Sequence, residues 1–428
     1  MASVASSPEP VTNAALFERG LRVIPGGVNS PVRAFRSVGG VPYFVERGEG
    51  AYVVDVEGTR FIDYVQSYGA SILGHAHPKV IEAITTAALK GTTFGAPTPG
   101  EVRLAEMLVE RVPGMEMVRL VSSGTEAVMS AVRLARGATG RNKVVKFAGH
   151  YHGHSDALLA AGGSGVADQG LSDSAGVTPG AVADTVVVPW NVVPTLDEDT
   201  AVLIVEAVAA NMGLVPPADG FLAALRAECD RVGALLMFDE VITGFRLGTG
   251  GATVWSGVTP DLWSFGKVIG GGLPVGAFGS RREIMENLAP LGGVYQAGTL
   301  SGNPLATAAG STVLDLMTDD AYRELEAKAT TLADGLAAAF ADAGVAAQVP
   351  RVGPLIGLFF GDHAPTDYDE AQQSVSLGRY PAWFHGMLQR GIALAPGPYE
   401  VMFVSLAHSD DDLGRTIEAA AEVAAELS

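Results

Sequence analysis

One cysteine, Cys229, is all that the 428 residues contain. This excludes an intrachain disulfide and any four-cysteine zinc site, and it suits a reducing compartment. Cys229 falls in the helix-like run FLAALRAECDRVG, where a small packed thiol is the ordinary reading. Positive charge is scarce as well: 28 Lys and Arg face 47 Asp and Glu, a net charge of −19. A broad basic surface for phosphate backbones is thereby excluded, an anionic membrane would repel the chain, and any anionic ligand must meet a local positive site. Long apolar runs are missing too. The stretch AVLIVEAVAA (201–210) is interrupted by Glu206 and falls well short of the ~20 residues that span a bilayer. Before Arg19 there is no Lys or Arg and no apolar h-region, so the start reads neither as a secretory signal nor as an Arg-rich transit peptide. The expectation is a cytoplasmic protein with no nucleic-acid or membrane partner.

Glycine and proline are plentiful, at 54 and 24 residues, and 48% of the chain is hydrophobic, which suits a globular protein rich in turns. NAALFERGLRVI has helical spacing, IPGGVNSPVRAF is a Pro/Gly-punctuated loop, and AYVVDVEGTRFIDYV reads as two short strands around a Glu57-Gly58 turn. From about residue 75, helices alternate with short β-branched apolar runs: MVRLVSS (117–123), KVVKFAG (143–149), TVVVPW (185–190), AVLIVEA (201–207) and ALLMFDE (234–240). Runs without polar alternation suit strands buried on both faces, hence an α/β fold around a mainly parallel sheet. Ligands of such sheets bind at the carboxyl ends of the strands. From about residue 316 the pattern returns to amphipathic helices flanking PLIGLFF and EVMFVSL, a smaller α+β unit. The expected divisions are 1–70 packing with that small unit, 71–315 as the large domain, and 316–428 as the small one.

Three constellations carry chemistry. In VSSGTEAV (121–128) a strand end meets small hydroxyl residues, Gly124 and a helix start. Such a turn either cradles an anion on exposed amides or simply caps the helix. LLMFDEV (235–241) is an apolar strand ending in two acids, suited to a protonated ring nitrogen, to Mg²⁺ or to capping the next helix. No G-x-x-x-x-G-K-[ST] precedes it and no G-x-G-x-x-G follows a strand, so nucleotide-bound Mg²⁺ and a Rossmann fingerprint lose their context. LWSFGKVIGGGLPVGAFG (262–279) places Lys267 in an almost wholly apolar setting. Burial favours the neutral amine that carbonyl chemistry needs, although a lysine snorkelling at a strand edge has the same pattern. Together they equip one cofactor with an anion cradle, a carboxylate and a desolvated amine.

In these motifs the sequence resembles class III aminotransferases of the pyridoxal-5'-phosphate (PLP) fold type I. The resemblance implies an aspartate-aminotransferase-like fold with a seven-stranded, mainly parallel sheet and a smaller α+β domain. It implies Lys267 as the Schiff-base lysine, Asp239 on the pyridinium nitrogen, Ser123, Gly124 and Thr125 on the phosphate, and Val241 on one ring face. Further segments, among them IPGGVNSPVRAF, GHAHPKV, FGAPTPGE, YHGHSDALL, DEVITGFR and YQAGTLSGNPLA, run through almost the whole chain and resemble the glutamate-1-semialdehyde 2,1-aminomutase family. That likeness implies an isomerase of tetrapyrrole (porphyrin) biosynthesis that makes 5-aminolevulinate, alternating between PLP and the pyridoxamine form (PMP).

Carried over residue by residue, Tyr151 meets the cofactor ring, Asn211 lies beside cofactor and substrate, and Thr299 reaches the phosphate of a neighbouring subunit in a homodimer. Ser30 and Arg33 hold the substrate carboxylate, Tyr68 lines the substrate site, Ser164 belongs to a mobile lid within 160–184, and Glu400 disfavours a second carboxylate. The resemblance also leaves room for hand-over of the unstable aldehyde from glutamyl-tRNA reductase. His150, His152 and His154 alternate, the spacing of metal ligands along one face of a strand, but the family places them in a loop beside the cofactor, and no metal is expected. Two positions depart from the family: Ala210 replaces the glycine before Asn211, and Tyr68 stands where tryptophan is common. The rival readings are an intermolecular class III transaminase and a non-catalytic PLP-binding regulatory protein.

Overall fold

The computed structural model describes residues 11–160 and 174–428. Its centre is a seven-stranded sheet built from β4 (Met117–Val121), β5 (Lys143–Phe147), β6 (Thr185–Val188), β7 (Thr200–Val205), β8 (Leu235–Glu240), β9 (Leu262–Phe265) and β10 (Gly276–Ser280). The spatial order is β4-β10-β9-β8-β7-β5-β6. Only β10 runs against its neighbours, pairing antiparallel with both β4 and β9, while the remaining pairs are parallel. The mainly parallel α/β fold expected from the apolar runs is present.

Burial explains why those runs lack polar alternation. All six residues of β7 are buried. Successive side chains of a strand point to opposite faces. Val202 and Ile204 pack with Ala127, Val128 and Leu134 of the helix Gly124–Thr139, while Leu203 and Val205 pack with Leu222 and Leu225 of the helix Phe221–Val232. Each fully buried aliphatic side chain contributes about 1.5–3 kcal/mol, so both faces select for Val, Ile and Leu. Cys229 belongs to this second core and is buried, with its thiol pushed up to about 12 by desolvation, as befits a packing residue.

The first of the N-terminal strands, β1 (Val45–Glu49), pairs antiparallel with β2 (Tyr52–Asp55), which pairs with β3 (Arg60–Asp63) across the expected turn at Gly58. The edge of this sheet is completed by the C-terminal strand Ile392–Ala393, parallel to β3. Helices Asp319–Asp342 and Asp410–Leu427 pack together over the C-terminal part. Among the described residues no helix is long and apolar enough to cross a membrane.

Candidate active site

Carboxyl ends of strands converge on a cavity of about 240 Å³ lined by Ser123, Gly124, Thr125, Tyr151, Asn211, Asp239, Val241 and Lys267, eight residues singled out from the sequence. It is also lined by His152, Gly153, Glu206 and Thr243. β4 delivers the cradle. Ser123 caps the helix Gly124–Thr139, its Oγ accepting the Glu126 N–H at 3.2 Å, and the Glu126 carboxylate accepts the Ser122 N–H at 2.7 Å. The amides of Gly124 and Thr125 open the helix without intrahelical acceptors, and they point the positive end of the helix dipole at the cavity. Gly124 leaves little room to spare: a Cβ would lie 3.1 Å from Val241 Cγ2, which would have to give way. Gly153 is required, with a φ of +83° and a would-be Cβ 2.6 Å from Thr125 Oγ1.

β8 separates its two acids by strand alternation. Asp239 lines the cavity. Glu240 is fully buried on the other side, where it accepts the Ala252 N–H at 2.8 Å and the Thr243 hydroxyl at 2.9 Å. One carboxylate therefore faces the cavity and the other accepts the first amides of the helix Gly251–Ser256. Both Asp239 oxygens are held by donors: Oδ1 by Ser264 Oγ at 3.1 Å and Val241 N at 3.1 Å, Oδ2 by His152 Nδ1 at 2.7 Å. A second cavity acid, Glu206, accepts from Tyr151 N at 2.7 Å, Ala210 N at 2.8 Å and Asn211 Nδ2 at 2.9 Å. Desolvation pushes its carboxyl up to about 7 against the pull of those donors. Glu206 thus ties the Tyr151 loop to the Asn211 turn.

Lys267 follows β9 in a left-handed conformation, φ +46°, which costs an L-residue about 1–2 kcal/mol. Strain of this kind persists where packing over-determines it and clusters at functional sites. The following 3₁₀ turn is pinned by the helix Pro304–Leu316, where a Cβ on Gly310 would run into the Ile269 carbonyl. Burial lowers the Lys267 ammonium to about 8, although Glu400, Asp239 and Glu206 pull the other way. An amine whose ammonium is lowered to about 8, a carboxylate and an amide cradle in one cavity fit a phosphorylated aromatic aldehyde.

The other expected site residues lie elsewhere. Ser30 immediately precedes the 3₁₀ turn Pro31–Ala34 and Arg33 lies within it, exposed. Tyr68, from a run of left-handed residues at 66–69, packs against the buried cluster of Val208, Ala210 and Phe403, as does the cavity-lining Ile242. Glu400 does not line the cavity but is close enough to act on the Lys267 charge. Thr299 is exposed in a separate cleft with Phe94, Thr98 and Leu300. Ser164 lies outside the described residues. The replacement of glycine by Ala210 meets no backbone obstacle, because Ala210 is not left-handed and packs with Val208 and Leu214.

Sequence reasoning passed over Glu206 and Gly153 and left His152 unassigned. For Glu206 the signal was present, a lone acid inside an otherwise apolar strand end. The three alternating histidines separate in the structure: His150 and His152 are buried, His154 is exposed, and no cluster of three metal-ligating groups exists among the described residues.

Comparison with known proteins agrees with this geometry. The family model for class-III aminotransferases matches residues 35–419. Glutamate-1-semialdehyde 2,1-aminomutase from Bordetella avium is 53% identical over 414 residues, which is 95% of this chain and 97% of that protein. Among solved structures, an omega-transaminase from Sphaerobacter thermophilus is 32% identical with a TM-score of 0.88, covering 99% of both chains. A glutamate-1-semialdehyde aminomutase from Pseudomonas aeruginosa, also solved in complex with PMP, is 28% identical with a TM-score of 0.86, covering 97% of this chain and 94% of that one. The chain belongs to the class-III aminotransferase family, in the branch that holds the glutamate-1-semialdehyde 2,1-aminomutases.

Proposed function

We propose that the protein is a PLP-dependent isomerase that moves an amino group within one five-carbon molecule, converting glutamate-1-semialdehyde to 5-aminolevulinate for tetrapyrrole synthesis. The observation that carries this reading is the convergence of Lys267, Asp239 and the Ser123–Thr125 turn on one cavity, in a chain so similar to named aminomutases. When bound, PLP supplies a carbonyl that captures amines and a protonated ring that takes up the electron pair left by C–H deprotonation.

In this reading the amides of Gly124 and Thr125 hold the phosphate, Val241 and Tyr151 enclose the ring, and Asn211 borders ring and substrate. Asp239 keeps the ring nitrogen protonated. The Lys267 amine, once free, accepts a proton from one carbon and delivers it to the next, a general acid–base task that needs an amine titrating near the working pH. Ser30 and Arg33 take the substrate carboxylate, and Glu400 repels a second one. Tyr68 lines the substrate side. Thr299 reaches the phosphate of a second copy, which makes the active unit a homodimer. The reactive amino aldehyde favours direct hand-over from glutamyl-tRNA reductase.

The position of the Lys267 titration has a measurable consequence. Its amine is neutral above about pH 8 and protonated below. Uptake of PLP by cofactor-free protein, followed by absorbance, should accelerate as pH rises through about 8 and then level off. A rate independent of pH between 6 and 10 would contradict this.

An intermolecular transaminase is the second reading, favoured by the omega-transaminase likeness. The deciding experiment supplies purified PMP-loaded protein with glutamate-1-semialdehyde alone. Sustained formation of 5-aminolevulinate without a separate amino donor or 2-oxoglutarate is expected. A reaction that stops after one turnover unless a keto acid or donor is added would move the assignment to the transaminase.

A further inference from the structure

Arg246 is fully buried, a rare place for an arginine, and the proposed chemistry gives it no task. Burial lowers its guanidinium to about 10 against the pull of Tyr322, so the charge persists at physiological pH. Its hydrogen bonds go to carbonyl oxygens: Nη1 donates to Val404 O at 3.1 Å and Nη2 to Gly69 O at 2.8 Å. The guanidinium carbon also lies 5.1 Å from the centroid of the Phe403 ring. Nε has no partner among the described residues. A buried cation is costly unless it is hydrogen-bonded, and the delocalised guanidinium, with donors in a rigid fork, is the cation best suited to bridge two fixed acceptors.

The two carbonyls belong to distant parts of the chain. Gly69 closes the run Gln66–Gly69, whose φ values are +44°, +53°, +56° and +97°. L-residues rarely adopt this region, and a run of them persists only where neighbours over-determine it. The near end is tied by Gln66, whose Nε2 donates to Asp63 O at 2.8 Å and whose N–H donates to Asp63 Oδ2 at 3.1 Å. The far end is pressed against Phe403, where a Cβ on Gly69 would lie 2.7 Å from the ring, and its carbonyl is taken by Arg246. Val404 directly follows the strand Met402–Phe403. The backbone N–H of Arg246 in turn donates to Thr243 O at 3.1 Å, and Thr243 lines the cavity. Arg246 is also close enough to Lys267 to act on its charge.

We propose that Arg246 is a positioning residue for the substrate side of the cavity, its guanidinium fork holding the left-handed turn 66–69, and with it Tyr68, between the loop after β8 and the C-terminal strand. This rests on the reading of Tyr68 as a residue of the substrate side. Arg246 touches neither substrate nor cofactor in this role, and it acts through the turn.

The test compares Arg246→Met and Arg246→Lys with wild type as PLP-loaded proteins. Methionine keeps an unbranched stem and removes both donors and the charge; lysine keeps the charge without the fork. Hydrogen–deuterium exchange of peptides covering 66–71 reads the turn directly. Expected for Arg246→Met are faster exchange there but not in the cradle helix Gly124–Thr139, a KM about tenfold higher, and a kcat changed far less. Arg246→Lys should recover only part of either property. In a Tyr68→Ala background Arg246→Met should add little to KM, because residues acting as one unit are not additive. Unaltered exchange at 66–71, full additivity with Tyr68→Ala, complete recovery by lysine, or a lower melting temperature with unaltered KM would overturn the proposal. Should Arg246→Met fail to fold, Arg246→Lys gives the same comparison. A wild type that binds PLP but makes no 5-aminolevulinate would remove the substrate assignment, while the exchange comparison still decides whether Arg246 holds the turn.

Discussion

Lys267→Ala is expected to lower conversion of glutamate-1-semialdehyde by ~10³-fold or more, because it removes the amine proposed to capture the cofactor and to carry the proton, the only lysine amine among the cavity-lining residues. The variant should still fold. Lys267 is half-buried and held by backbone packing rather than by a side-chain ion pair, and it already occupies a conformation that strains any L-residue. PLP should still bind through the cradle and Asp239, but without the absorbance of a covalently held cofactor. Steady-state rates and the visible spectrum check this together. Wild-type turnover in Lys267→Ala would remove the residue from the mechanism altogether.

Gly276→Ala should also be damaging although the residue carries no functional group. β10 crosses directly beneath the cradle, and a Cβ on Gly276 would lie 2.6 Å from the Ser123 carbonyl carbon and 3.2 Å from the Gly124 amide nitrogen. Both are backbone atoms, so no side chain can rotate away. Either the strand or the anion-binding turn must move, at about 1–3 kcal/mol for overpacking of this kind. A fall of about tenfold in PLP affinity with a lower melting temperature is expected, as measured by spectroscopic titration and thermal unfolding. Gly180→Ala is the control, since a Cβ there meets nothing within 4 Å. Unchanged PLP affinity in Gly276→Ala would show that the cradle tolerates displacement, contrary to the geometry argued here.

That glycine also shows where reading the sequence stops. The apolar runs of β4, β5, β7 and β8 were legible because burial on two faces leaves a local signature. β10 has none: two of its five residues are glycines, selected because β4 passes too close for a side chain, a requirement set by a neighbour more than 150 residues away in the chain. Edge strand β1, mostly exposed, lacks an apolar signature for the opposite reason.

The site divides in the same way. Lys267, Asp239 and the Ser123–Thr125 turn each mark a strand end and could be singled out locally. Roles for Ser30, Arg33, Tyr68, Thr299 and Glu400 rest on family likeness, because nothing in their own segments distinguishes them from loop residues. His152 was visible only as one of three alternating histidines, and its partner Asp239 lies 87 positions away.

The central claim is that one particular lysine holds the cofactor, and the molecule contains its own competitor. Lys146 is buried and likewise lowered to about 8 by desolvation. Its Nζ, however, donates to the carbonyls of Ala160 at 3.0 Å and Leu158 at 3.3 Å, and it does not line the cavity. Borohydride reduction of the PLP-loaded protein followed by peptide mapping separates the two. The account predicts cofactor fixed to Lys267 alone. Label on Lys146, or on no lysine, would contradict it.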